Sequence, residues 1–265
     1  MAFDTTLNGG RICAASVFRP GQLDTPLAKQ TAGEPVRFGY KEVTKATGIK
    51  GLRYKDEATL MAVMAVYRLL ETLGEEDQAI KDRTAVIVSS NYGNVDTVVE
   101  VAEQIAATSV DDTSAMALPN ASSNSISATI SILFQLRGVN LMLCNGDRGG
   151  EDGFELARQL IAAGRADRVM LVGVEVDNAV VRALFPTNRQ RFHGAAAVLL
   201  AAEGAAPELV PGKAEAPIGR ATIEALCGYA SGAEGILRLA LARDAFGSGE
   251  AVAVSMCGQT WELDG

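Results

Sequence analysis

The segment DEATLMAVMAVYRLLETLG, residues 56–74, constrains the fold most. Acidic residues open it and Gly74 closes it, which marks a helix. Its apolar residues (Leu60, Met61, Val63, Met64, Val66, Leu69, Leu70, Leu73) run almost all the way round. A helix with no polar face is covered on every side, so it lies between layers rather than on a surface. The remaining segments must supply those layers.

They do so in alternation. RICAASVF (11–18), TAVIVSS (84–90), residues 139–144, RVMLVGV (168–174) and AAAVLLAAE (195–203) read as strands. Helices are expected over 94–107, 119–138 and 150–164. Residues 21–56 read as an irregular excursion, and 204–217, with its Pro and Gly, as a linker. A short βαβ is expected to close the chain: strand 218–227, helix 233–246, strand 251–256. Such alternation implies a layered, largely parallel α/β sheet with right-handed crossovers.

Composition excludes several functions. With 24 Lys+Arg against 32 Asp+Glu and no basic run, nucleic acid is not an expected partner. No apolar run is long enough to span a bilayer, and MAFDTTLNGG is no signal peptide. Cys13, Cys144, Cys227 and Cys257 are scattered without a CxxC pair, so no metal is expected. A reduced, cytoplasmic protein with buried thiols fits this usage. No cofactor is expected, because Gly146-Asp147-Arg148-Gly149-Gly150 lacks the GxGxxG spacing and Asp177 follows a different strand.

LCNGDRGGEDG, residues 143–153, is a tight strand-to-helix elbow with Asp147 at its apex. A hydrolase elbow would carry serine in G-x-S-x-G. A carboxylate at a helix N-terminus is stabilised as the anion, which makes it a poor nucleophile and a poor acid. Cys144 is a candidate thiol, but His193 is the one imidazole in the chain. A capped turn is the simpler account of the elbow, and a bond to a backbone carbonyl is the simpler account of His193 beside its buried strand.

The order of the pieces resembles the β-ketoacyl-carrier-protein synthases, the thiolase-like condensing enzymes. The stretches that carry the likeness are KEVTKATGIKGLRYKDEATLMAVMAVYRLLETLG, TAVIVSSNYGNVDT, MALPNASSNSISATISILFQLRGVN, GFELARQLIAAGRADRVMLVGVE and RFHGAAAVLLAAEG. Val139 stands where that family usually has Pro. The resemblance implies a thiolase-like layered αβαβα fold with an abbreviated C-terminal half. It divides the chain into a ketosynthase N-terminal-like half, 1–205, and a shortened second half, 206–265. It also places the family's nucleophilic cysteine at Asp147 and a glutamate at His193. GYASGAEGILRLALA resembles the family's Gly-His-x-x-Gly-Ala-Ala-Gly helix start, with Tyr229 nearest the histidine. The two catalytic histidines and the lysine of the family's second half have no counterparts here.

Condensation needs a thiolate to hold the acyl chain and imidazoles to stabilise the enolate. The resemblance therefore implies a non-condensing subunit comparable to a chain-length factor of polyketide or fatty-acid type biosynthesis. Its partner would be a second copy, or a catalytic ketosynthase in a heterodimer, with acyl carrier protein a further candidate. Family dimers form through the strand before the elbow, so Leu141 and Leu143 are candidate interface residues. Asp147 and Arg148 would plug the vacated pocket. Ser122, Ser123, Ser125 and Ser127 would line a shared tunnel or simply allow close packing. The alternative is a thiolase-fold enzyme with changed chemistry (acyl transfer, hydrolysis or cyclisation) using Asp147 with His193, and Cys144 or Cys257 as thiol.

Overall fold

The computed structural model describes residues 10–22, 35–202 and 206–264. Among them, eight strands form one sheet: β1 (Arg11–Phe18), β2 (Thr84–Ser89), β3 (Asn140–Leu143), β4 (Arg168–Glu175), β5 (Gly194–Ala201), β6 (Glu208–Pro211), β7 (Ala253–Met256) and β8 (Gln259–Asp264), in the order β3-β2-β4-β5-β1-β6-β8-β7. The central strands are buried on both faces, which is why they read as continuous apolar runs.

Their alternation assigns each side chain to a face. Ala195, Ala197 and Leu199 of β5 turn to one core, and Ala196, Val198 and Leu200 to the other. The first core is built on α2 (Glu57–Glu71), in which every residue from Ala58 to Val66 is buried. Asp56 caps it by accepting from the Thr59 amide at 2.8 Å. The second core is built on α9 (Glu234–Gly247), which crosses β4, β5 and β1 on the opposite face. α6 (Gly149–Ala162) packs beside it. The all-round apolar helix is thus enclosed, as its sequence requires.

Several expectations need correction. The sheet is mixed rather than largely parallel. β2 runs parallel to β3 and β4, but β5 is antiparallel to both β4 and β1, and β6, β7 and β8 pair antiparallel as well. The link from β4 to β5 holds the short helix α7 (Ala179–Leu184), and the chain then turns back to run antiparallel beside β4. The expected strand 218–227 is a helix, α8 (Arg220–Cys227), bounded by Gly219 and Gly228. The 204–217 linker contains β6. The excursion at 21–56 contains α1 (Tyr40–Thr47), and its residues 23–34 lie outside the described residues. The helix expected over 119–138 is shorter, α5 (Ser125–Phe134), preceded by a 3-10 turn over Leu118–Ala121. The helix expected over 94–107 is α4 (Val95–Ala107). A further short helix, α3 (Gln78–Asp82), precedes β2.

The abbreviated C-terminal part forms no second sheet among the described residues. Its strands extend the first sheet beyond β1. Of the four cysteines, only Cys227 is fully buried. No helix among the described residues is long and apolar enough to cross a membrane.

Candidate functional site

Asp147 lies in a 3-10 turn, Gly146–Arg148, between β3 and α6. Gly146 takes φ +76°, a conformation that favours glycine. Asn91, at the end of β2, clamps the turn from both sides. Its Oδ1 accepts from the Gly146 amide at 2.9 Å, and its Nδ2 donates to the Gly146 carbonyl at 3.0 Å. The same Nδ2 donates to Ser231 Oγ at 2.8 Å, which joins the elbow to the segment entering α9.

The starts of α6 and α9 meet almost backbone to backbone. A Cβ on Gly150 would lie 2.8 Å from the Gly235 nitrogen, and one on Gly235 would lie 2.8 Å from the Glu151 nitrogen. Two glycines therefore bring the elbow and its counterpart face to face.

This approach determines what surrounds Asp147. Its Oδ1 accepts from the Tyr229 hydroxyl at 2.5 Å and from Ser231 Oγ at 3.5 Å. Its Oδ2 accepts from Arg220 at 3.2 Å. Burial first, and then this carboxylate, push the Tyr229 phenol up to about 12. The Arg189 guanidinium stacks 3.9 Å above the Tyr229 ring and pairs with Glu224 at 2.7 Å. The sequence suggested helix N–H groups as the stabiliser of Asp147. The structure supplies side chains of the C-terminal segment instead. Arg148, the suggested plug, is exposed and pairs with Asp152 at 3.5 Å.

The site is an ionic and hydrogen-bonded lock, and neither nearby thiol is lowered toward the thiolate. The Cys144 thiol is raised by desolvation and then by the Glu175 carboxylate. The Cys257 thiol, which donates to the Glu151 carbonyl at 3.4 Å, is pushed up to about 12 by burial and the Glu151 charge. A raised thiol is the wrong direction for a nucleophile at neutral pH.

Asp147 and His193 are not brought together. His193 is buried, its Nδ1 accepts the Asp177 amide at 3.1 Å, and its Nε2 lies 3.6 Å from Glu57. Its neighbours are thus a backbone amide and the Glu57 carboxylate, not Asp147. Leu141 and Leu143 are half-buried on β3, at one end of the sheet. Ser125 and Ser127 are buried within α5, whereas Ser122 and Ser123 are exposed. Among the described residues, no three of His, Cys, Asp and Glu gather as metal ligands.

Two further groups tie the elbow to the C-terminal segment. Glu175 is fully enclosed and accepts from the Asn91, Tyr92 and Gly232 amides at 2.9, 3.0 and 3.1 Å, and from Ser90 Oγ at 3.3 Å. Burial pushes its carboxyl up to about 7 against those donors. Arg238, buried on α9, bridges Glu151 at 2.5 Å and Glu234 at 2.8 Å. Tyr229 was visible in sequence as the residue nearest the family's histidine. Arg220 carried no signal, because its role depends on α8 folding back over the elbow.

A mixed sheet between helical layers, with an elbow facing the start of a second glycine-bearing helix, defines a thiolase-like α/β protein. The sequence profile of the beta-ketoacyl synthase N-terminal domain matches residues 36–185, and the chain belongs to that family. Among curated proteins none matches its sequence. Solved structures show the fold. One is titled "The ishigamide ketosynthase/chain length factor", with 14% identity and a TM-score of 0.70 over 96% of this chain and 97% of that one. A second is a ketosynthase (ApeO) in complex with its chain length factor (ApeC) from Xenorhabdus doucetiae, with 16% identity and a TM-score of 0.57 over 96% and 99%. A third, AntDE:AntF, is a type II polyketide synthase acyl-carrier protein in complex with its ketosynthase, with 11% identity and a TM-score of 0.67 over 90% and 86%.

Proposed function

We propose that this protein is a non-condensing, chain-length-factor-like ketosynthase subunit that acts by pairing with a catalytic ketosynthase. One observation carries the reading. Where the family holds its nucleophile, a carboxylate is bound by a phenol and a guanidinium, with no thiol or imidazole in contact. Such an arrangement cannot hold an acyl chain as a thioester or stabilise an enolate through imidazole donors. The end-to-end match with chains from ketosynthase–chain length factor complexes supports the same reading, since those chains are of nearly equal length. In this account residues 1–205 are the ketosynthase-like half, and 206–265 are the shortened half that supplies the lock.

The partner surface is the β3 end of the sheet, with Leu141 and Leu143. The test is direct. The purified chain, incubated with a radiolabelled acyl-carrier thioester and then denatured, should retain no label. Co-expressed with its ketosynthase, it should purify as a stable heterodimer. Label that survives denaturation would overturn the reading.

A further inference from the structure

The outer edge of β1 is open over most of its length. β6 meets β1 at the Arg11–Glu208 pair, with the Pro207 carbonyl accepting from the Ile12 amide, and then parts from it. The Ile12 carbonyl accepts from Arg243 Nε at 3.2 Å. Beyond it, the main chain of residues 13–17 pairs with β5 on one side and, among the described residues, with no strand on the other. Alternate amides and carbonyls of an edge strand point away from its one neighbour. An edge is usually blunted by charged side chains or proline, and Cys-Ala-Ala-Ser-Val has neither. The one irregularity in its pairing, between Ile12 and Ala14, lies at its start. This edge is the floor of a groove of about 570 Å³. Arg68 and Thr72 at the end of α2 form one wall, and Arg243, Asp244 and Gly247 at the end of α9 form the other.

We infer that this groove binds an extended segment of a partner protein as an added strand on β1, with an acidic side chain of that segment turned toward Arg68 and Arg243. The floor sets the conformation of the occupant. Outward main-chain groups on β1 are matched by another extended backbone, which presents donors and acceptors at the strand repeat of about 3.3 Å. The walls set its width and charge. A gap between two helix ends admits one strand. It excludes the same edge of a second folded copy, which would bring its own α2 and α9 against these. Two guanidinia against the single Asp244 carboxylate favour an occupant that carries a carboxylate. The inference stands apart from the functional reading above, because β1 lies away from both the elbow and β3.

A display library of random dodecapeptides, panned against the intact chain, supplies the probe. Peptides that compete for one site should carry Asp or Glu among β-branched residues. Methylating one alternate set of backbone nitrogens in such a peptide should weaken binding by about tenfold or more, since it removes the donors to β1, and methylating the other set should not. Replacing the acidic residue by lysine should also weaken binding, and Arg68→Glu in the protein should restore it. Residue-by-residue hydrogen exchange should find the outward amides of residues 13–17 open in the free chain and protected in the complex. A panning that yields no binder, a Kd indifferent to methylation or to the lysine replacement, or protection that falls elsewhere overturns the inference. So do outward amides already protected in the free chain, since the edge is then filled from within. Should Arg68→Glu not fold, the lysine peptide against the wild type answers the question of charge.

Discussion

A phenol aimed at a carboxylate is an unusual occupant for a condensing centre, and its energetics can be measured. The Tyr229 hydroxyl and Asp147 are each half-buried and 2.5 Å apart. A hydrogen bond to a charged group in partial contact with water contributes about 1–2 kcal/mol. Tyr229→Phe should lower the unfolding free energy in urea by that amount, and a double-mutant cycle with Asp147→Asn should show coupling of the same sign. Asp147→Cys should yield no condensation product by mass spectrometry, because the facing residue is a phenol near 12 rather than an imidazole. Glu175 gives a pH signature. Its carboxyl is raised from the ordinary 4.5 to about 7 by burial. The stability it contributes is fully present below about 4.5 and is lost as pH rises through about 7, a change on the order of 3 kcal/mol. Urea midpoints of the wild type should fall across that window, and those of Glu175→Gln should stay level. Asp147 was legible in sequence because an apex between glycines is a local feature. Its partners Tyr229, Ser231 and Arg220 were not, because contacts 73 to 84 residues apart exist only once α6 and α9 meet.

The elements show which signals survive in a single sequence. α2 and β2 were legible because burial on all sides leaves a continuous apolar record. α8 misled because Ile223, Leu226 and Cys227 keep helical spacing over only eight residues, flanked by Gly219 and Gly228. β6 was hidden because it is four residues long, ends in Pro211 and pairs in register with β1 only at Arg11 and Glu208. α1 buries only Val43. One pair of glycines on α6 tests the packing account. On Gly150 a Cβ would meet backbone at 2.8 and 3.0 Å, with nothing flexible to move aside. Gly150→Ala should therefore cost about 3 kcal/mol or more. On Gly153 the nearest atoms are side-chain carbons at 3.5 Å, an ordinary contact. Gly153→Ala should be neutral or stabilising by up to about 1 kcal/mol, since alanine favours the helix interior. Thermal melts of the two variants should diverge, and a matching loss in both would refute the close approach of α6 and α9.

For the whole molecule, the sheet has two ends with different consequences. At one, the C-terminal strands β6, β8 and β7 carry the sheet onward, and their connecting segments fold back over the elbow. At the other, β3 stops after four residues, with α5 and an exposed stretch beside it. An isolated chain with Ile132, Val110 and Met116 this open exposes apolar surface that a paired subunit would bury. The two states make Ile132 a discriminating position. In the monomer it is 70% exposed, so Ile132→Glu should move the unfolding free energy by no more than about 0.5 kcal/mol. In the proposed complex it lies inside a contact from which water is excluded, and a buried carboxylate there should cost about 2 kcal/mol or more, roughly thirtyfold in Kd. Sedimentation equilibrium with the ketosynthase partner, alongside a thermal melt of the variant alone, separates these quantities. An unchanged Kd would move the partner surface away from the β3 end, and an unstable variant would place Ile132 in the monomer's own packing.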